Sequence, residues 1–226
     1  MRETLSSLAA SGRAHLVIDM SEATFIDSAM ISVLAGHLRR TRGGAGSLAV
    51  VCSDENILRT LAIAGIDREL QILTELSDTV IEKVATLPRL HEHSRLLPAP
   101  QVRELMLPPD ASELALARGF AIAAARRAGL DPRRQYNFAV ATNEAVANAI
   151  EHGRPCPSGS IELWVDEQPS TLTVGVRNGG DFVLEPLPAD PLHERGRGLR
   201  LMGHMVDAIA LEHEGSLTVV RLTMNR

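Results

Sequence analysis

The order of predicted secondary structure changes near the middle of the chain, and this change constrains the fold more than any other feature. In the first half, short β-branched runs alternate with amphipathic stretches, which predicts strands and helices in turn. The predicted strands are residues 15–20, 47–51 and 70–75, and the predicted helices are residues 28–42, 55–65 and 77–87. This alternation indicates an α/β domain with a mostly parallel sheet.

The second half has a different order, in which two long helices come before most of the strands. Helices are predicted at residues 110–128, 132–152 and 198–207, and strands at residues 102–107, 160–167, 171–178, 208–214 and 216–224. The strands on either side of "EQPS" should form an antiparallel hairpin. Helices segregated from an antiparallel sheet indicate an α+β sandwich.

Residues 88–101 separate the two halves and contain three prolines, two histidines and no clear period. We interpret them as a linker between domains at 1–87 and 102–226. A chain of 226 residues is long enough for two cores. His91 and His93 have no acidic or cysteine partner at a metal-binding spacing, so an exposed linker is favoured over a metal site.

Composition narrows the classes of function. Hydrophobic residues make up 45% of the chain and charged residues 23%, as in an ordinary globular protein. The net charge is -5 with no long basic run, so no nucleic-acid partner is expected. The apolar stretch 114–125 contains Arg118 and the amino terminus lacks a signal peptide's apolar core, which predicts a cytoplasmic protein without a membrane partner. Cys52 and Cys156 are predicted to be free thiols.

Polar side chains collect along one side of the predicted helix 132–152, within an arc of about 100°. They are Asn137, Glu144, Asn148, Glu151 and His152. No Lys or Arg lies between Tyr136 and Gly153, although a helix face in bulk water usually carries them. This side is therefore predicted to face a cavity.

Two interpretations of this polar side remain open. Asn148 and Glu144 lie one turn apart, which suits a metal held by an amide oxygen beside a carboxylate that accepts a proton. Alternatively, the polar side only hydrogen-bonds a neighbouring loop. Asn143 lies off the arc and is predicted to be structural.

Two glycine pairs downstream favour the first interpretation. Gly179 and Gly180 follow Asn178 at the end of a predicted strand, which permits a tight turn and close approach of a planar ligand. Gly196 and Gly198 lie at the start of a predicted helix, where free backbone N–H groups favour phosphate.

Taken in this order, the motifs resemble the GHKL ATP-binding fold. Residues 100–226 look most like the anti-sigma-factor serine kinases of the partner-switching type, whose helix motif E-x-x-x-N-x-x-x-H is matched by Glu144, Asn148 and His152. The resemblance implies that Glu144 is the general base and that Asn148 is a ligand of the Mg²⁺ that accompanies ATP. It also implies that His152 lines the nucleotide site.

The two glycine boxes of this family match unequally. Gly196, Gly198 and Leu199 match the second box, which contacts the phosphates. In the first box the family has Asp-x-Gly-x-Gly, and this chain has Asn178 in place of the Asp, Gly180 as the first glycine and no second one. Asn178 can accept a hydrogen bond from the adenine amino group, but without the charge that strengthens it.

Residues 17–36, "VIDMSEATFIDSAMISVLAG", resemble the signature of STAS domains, the antagonists that such kinases phosphorylate. The match at Asp27 and Ser28 implies that Ser28 is the phosphoacceptor. The alternative is that Ser28 only caps a helix, with Asp27 sharing that role. The family has a further strand pair and helix before Leu16, so either the start is truncated or another chain completes the sheet.

These resemblances predict a partner-switching regulator that joins an N-terminally short STAS-like domain to a GHKL serine kinase and anti-sigma domain. ATP and Mg²⁺ are the implied cofactors. A sigma factor, a STAS antagonist or both are the implied partners, with homodimerisation common in such kinases. The alternative is an interaction module that has lost ATP use through Asn178. An ordinary metabolic enzyme is disfavoured because the first half has no catalytic cluster.

Overall fold

A computed structural model describes residues 15–41, 47–75, 103–180 and 196–226. The chain divides into two compact units, and each is described by itself. The predicted linker 88–101 and the predicted helix 77–87 lie outside the described residues. The predicted domain limits therefore stay predictions.

The first unit contains a parallel sheet in the order β1-β2-β3. Its strands are β1 (His15–Asp19), β2 (Ser47–Val51) and β3 (Gln71–Leu73), and its helices are α1 (Ser28–Thr41) and α2 (Glu55–Ile63). Leu16 pairs with Leu48, and Val50 pairs with Ile72. The predicted α/β class is confirmed for this unit.

The core of the first unit forms because the strands and helices both bury aliphatic side chains. Its most buried members are Ile26, Ile31, Leu34, Val50, Ile57, Leu61 and Ile66. Asp54 starts α2, since its carboxylate accepts the backbone N–H groups of Asn56 and Ile57 at 2.9 and 3.0 Å.

The second unit contains an antiparallel sheet of five strands in the order β4-β5-β6-β8-β7. The strands are β4 (Glu104–Leu107), β5 (Ile161–Glu167), β6 (Thr171–Gly179), β7 (Ala208–Glu214) and β8 (Leu217–Asn225). The helices are α3 (Leu114–Arg127), preceded by a 3₁₀ turn (Ala111–Glu113), α4 (Pro132–His152) and α5 (Arg197–Met205). The predicted α+β sandwich is confirmed.

Helices α3 and α4 pack against each other and against the sheet. Helix α4 begins at Pro132 because the side chain of Asp131 accepts the N–H of Arg134 at 2.9 Å and because proline is favoured in the first turn of a helix. Side chains alternate between the two faces of β8, and Thr218, Val220 and Leu222 lie on a buried face of the sheet. In the described ranges, no helix has the length and apolar character needed to cross a membrane.

Candidate functional site

The polar side of α4 is turned away from solvent at Asn137, Glu144 and Asn148, but the prediction that this side faces a cavity is wrong for Glu151 and His152, which are exposed in the last turn of the helix. Asn137 is 8% exposed and Glu144 is 1% exposed, while Asn148, one turn further on, is half-buried. Among the described residues, no group hydrogen-bonds the side-chain amide of Asn148. Asn143 lies elsewhere on the helix and accepts a hydrogen bond from Arg118 Nη1 at 2.8 Å, which agrees with its predicted structural role.

The first turn of α5 lies directly against this polar side. A Cβ atom added to Gly198 would come within 2.6 Å of Glu144 Oε2 and 3.8 Å of Asn148 Oδ1. Only a residue without a side chain fits there unless the carboxylate moves. Helix α5 therefore brings Gly198 of the second glycine box against the predicted general base and the predicted Mg²⁺ ligand.

Asn178 lies at the end of β6 and is 4% exposed. Its Nδ2 donates to the carbonyl oxygen of Gly179 at 2.8 Å. A Cβ atom added to Gly153 would collide with the same Nδ2 and would lie 2.5 Å from the carbonyl oxygen of Ala149. These contacts fix the amide plane of Asn178.

Gly180 has a positive φ of 93°, which a side chain would strain. Its N–H donates to the carbonyl oxygen of Ser216 at 3.1 Å, and its own carbonyl oxygen accepts from the hydroxyl of Thr218. Thr218 also pairs with Asn178 across β6 and β8. Sequence reasoning missed Thr218, although its place on the buried side of β8 was readable from the alternation.

A pocket joins these elements. Its lining residues are Ala145, Asn148, Ala149, Asn178, Leu199, Met202, Ile209, Leu211 and Val220. Asn148, Asn178 and Leu199 were predicted as binding residues, whereas the apolar walls from β7 and β8 were not. Apolar walls with two amides suit a flat ring that has a polar edge.

Besides Glu144 and Gly198, which contact each other next to the pocket, three more predicted site residues lie apart from its lining. The side chain of His152 is 63% exposed, with Nε2 at 3.8 Å from Glu151 Oε2. Gly180 holds the turn after Asn178. Gly196 precedes α5 with a φ of 86°. Their contacts with a ligand stay predictions.

Comparison with known families agrees with this geometry. Residues 107–224 match the model of the histidine kinase-like ATPase domain. The chain belongs to the histidine kinase-like ATPase family. The match covers β5 to β7, nearly all of β8, both long helices and the whole pocket, and this family implies that the domain binds ATP. No curated protein matches the chain.

Residues 1–82 match the model of the STAS domain. STAS domains typically interact with partner-switching kinases or with regulators of sigma factors. Fusion of a STAS domain to a histidine kinase-like ATPase domain fits a partner-switching regulator, as the sequence predicted.

Within the STAS domain, Ser28 is the first residue of α1 and is half-buried. Asp27 takes part in the cap of α1, since its carboxylate accepts the N–H of Met30 at 3.0 Å. This is the capping role that the alternative gave to Asp27, and the role of Ser28 as phosphoacceptor stays a prediction.

Proposed function

We propose that the ATPase domain binds ATP with Mg²⁺ and phosphorylates a STAS serine, so that the chain regulates transcription by partner switching. The observation that carries this proposal is one pocket that collects Asn148, Asn178 and Leu199, with Gly198 against Glu144 beside it. The carboxylate, the amides and the helix start come from three separate stretches of sequence.

The base of the nucleotide would enter the apolar part of the pocket. Because Nδ2 of Asn178 is engaged by the carbonyl of Gly179, its amide oxygen remains the acceptor for an exocyclic amino group. Adenine carries such a group at its edge, and guanine presents a carbonyl there. We therefore propose ATP over GTP.

The phosphates would extend toward Asn148 and the first turn of α5. The amide oxygen of Asn148 is a hard ligand of the kind that holds Mg²⁺ together with substrate phosphates. When bound, the ion would supply neutralisation of the charge that spreads over the transferred group. Backbone N–H groups at the start of α5 would bind phosphate oxygens.

Glu144 would act as the general base. It accepts the proton of the serine hydroxyl, the hydroxyl oxygen bonds to the γ-phosphorus, and the bond from that phosphorus to the departing ADP oxygen breaks. Ser28 is the proposed acceptor, either in the same chain or in a second STAS domain. A phosphate there would add almost two negative charges at the start of α1.

The test is incubation of the full chain with radiolabelled ATP and Mg²⁺. We expect label on the wild-type chain, none on Ser28→Ala, and at least about a hundredfold slower labelling by Glu144→Gln. Label on neither this chain nor an added STAS protein would overturn the kinase proposal.

Matched control variants separate loss of these catalytic and acceptor roles from a general loss of folded structure. Glu151→Gln removes an exposed carboxylate from the same helix, and Ser21→Ala removes an exposed hydroxyl from the loop before α1. Both should be labelled at the wild-type rate.

A second candidate function rests on Asn178, which stands where the family has a carboxylate. In this case the chain acts only by binding partners and does not use ATP. Calorimetry with ATP and Mg²⁺ distinguishes the two functions. If the wild-type chain shows no ATP binding and Asn178→Asp does bind ATP, the interaction module is favoured.

The same family membership leads us to propose a sigma factor or a STAS antagonist as the protein partner. We also propose that the chain acts in the cytoplasm and that it forms a homodimer. Light scattering of the purified chain tests the dimer. Co-purification with candidate sigma factors, with and without ATP, tests the partner.

A further inference from the structure

Glu144 and the start of α5 are in direct contact. In the proposed reaction, however, the start of α5 binds phosphate and Glu144 accepts the proton of a serine hydroxyl. A Cβ atom on Gly198 would lie 2.6 Å from Glu144 Oε2, so the carboxylate occupies the space that a side chain at position 198 would need. The inference below rests on the proposed function, which places nucleotide phosphate at this same turn.

Electrostatics favours the observed contact when nucleotide is absent. The start of a helix carries partial positive charge, and a carboxylate beside it is stabilised. Phosphate is attracted to the same N–H groups for the same reason. Two anions at this one turn repel each other, so the carboxylate and the phosphate compete for it.

Burial gives the contact a second consequence. Glu144 is 1% exposed, so its carboxylate is out of reach of a serine hydroxyl on another protein surface. A general base must come within hydrogen-bonding distance of the proton that it accepts. Glu144 must therefore leave Gly198 before it can act.

We propose that the contact between Glu144 and Gly198 is autoinhibitory. The carboxylate occupies the first turn of α5 as an internal anion, and the nucleotide phosphate displaces it. Displacement frees Glu144 to act as a base only when the phosphoryl donor is present, which prevents the base from engaging an acceptor in the empty site.

Nucleotide affinity is the first measurement. Calorimetry on the full chain compares ATP, ADP and adenosine binding to the wild type, Glu144→Gln and the control Glu151→Gln. Because the amide no longer competes with phosphate, Glu144→Gln should bind ATP about threefold to tenfold more tightly. Adenosine has no phosphate, so its affinity should be the same in all three proteins.

The contact itself is tested without nucleotide by a double-mutant cycle in thermal unfolding. Gly198→Ala should lower Tm by about 4 °C or more in the presence of Glu144, since the new methyl group overlaps the carboxylate. The same change in a Glu144→Ala background should be nearly harmless. Gly203→Ala is the matched control in α5, because a Cβ atom there meets nothing within 4 Å.

The outcomes separate this inference from the proposed function. If no protein in the set binds nucleotide, the proposed function fails and the competition fails with it. If ATP binds but Glu144→Gln binds it no more tightly than the wild type or Glu151→Gln does, only the competition is overturned. Equal losses of Tm from Gly198→Ala in both backgrounds would likewise overturn the contact.

Discussion

The side-chain amide of Asn178 packs on the backbone of Gly153, at the residue that ends α4. The N–H of Gly153 still donates to the carbonyl of Ala149 at 3.1 Å, so the helix is complete up to this contact. The carboxyl end of α4 and Asn178 of the first glycine box are therefore in contact without any nucleotide.

Replacement of Gly153 by alanine should weaken both the fold and the site. The new methyl group would overlap the Asn178 amide and lie 2.5 Å from the carbonyl of Ala149. We expect a loss of about 1–3 kcal/mol in the free energy of unfolding, measured by urea denaturation, and weaker ATP binding. Gly203→Ala should instead gain about 0.5–1 kcal/mol, because it only improves helix propensity. Equal effects of the two changes would contradict the close contact.

Replacement of Asn178 by aspartate should have opposite effects on stability and on binding. Without nucleotide, the donor to the carbonyl of Gly179 is lost and a carboxylate is buried beside that oxygen, which should cost about 1–3 kcal/mol. With ATP, the charged acceptor should raise affinity about tenfold. Denaturation in the presence and absence of ATP measures both, and a variant as stable as the wild type without nucleotide would count against this orientation of Asn178.

Thr218→Val should reveal whether the turn at Gly180 matters for binding. Valine keeps the shape of threonine but leaves the carbonyl of Gly180 without its hydroxyl donor, at a cost of about 1–3 kcal/mol. Thr223→Val removes a hydroxyl from the other side of β8, where Thr223 bonds to Thr173 at 2.9 Å. Both variants should lose stability, and only Thr218→Val should lose ATP affinity.

Asp27→Ala should destabilise the STAS domain by about 1 kcal/mol, because it removes the cap of α1. Asn at this position caps equally well, so Asp27→Asn should keep most of the stability. Denaturant titration of the three proteins provides the measurement. Indistinguishable midpoints for Asp27→Ala and the wild type would contradict a capping role for Asp27.

Cys52 and Cys156 are free and buried, and burial raises the pKa of both thiols. A thiol reagent should label neither in the native chain at neutral pH and both after denaturation. As pH rises through the unfolded value of 9.0, the unfolded state loses its thiol protons first, so stability should fall from there upward. Rapid labelling of the native chain at neutral pH would contradict this.

Most of the secondary structure was readable from local pattern. The period of two in β6 and β8, the Asp131-Pro132 start of α4 and the glycine at its end are each decided within a few residues of chain. Helix α3 was predicted from residue 110 and begins at Leu114, because Asp110 caps a 3₁₀ turn instead, accepting the N–H of Ser112 at 2.8 Å.

The site was predicted only in part: its polar residues were found from the sequence and its apolar walls were missed, for a physical reason. Glu144, Asn148 and Asn178 were found because polar residues in apolar elements are conspicuous. The apolar walls, such as Met202 and Leu211, look like any core residue until the strands are paired. Thr218 acquires its position opposite Asn178 only through the register of β8 against β6.

The sequence by itself determined the two fold classes, the polar side of α4 and the identity of both families, since these depend on periodicity and motif spacing. Tertiary structure alone decided which groups touch. The approach of Gly198 to Glu144 joins residues 54 positions apart, and the packing of Gly153 on Asn178 joins residues 25 apart. Such contacts arise from how helices and strands pack in three dimensions, and no local pattern encodes the distance between atoms on separate elements.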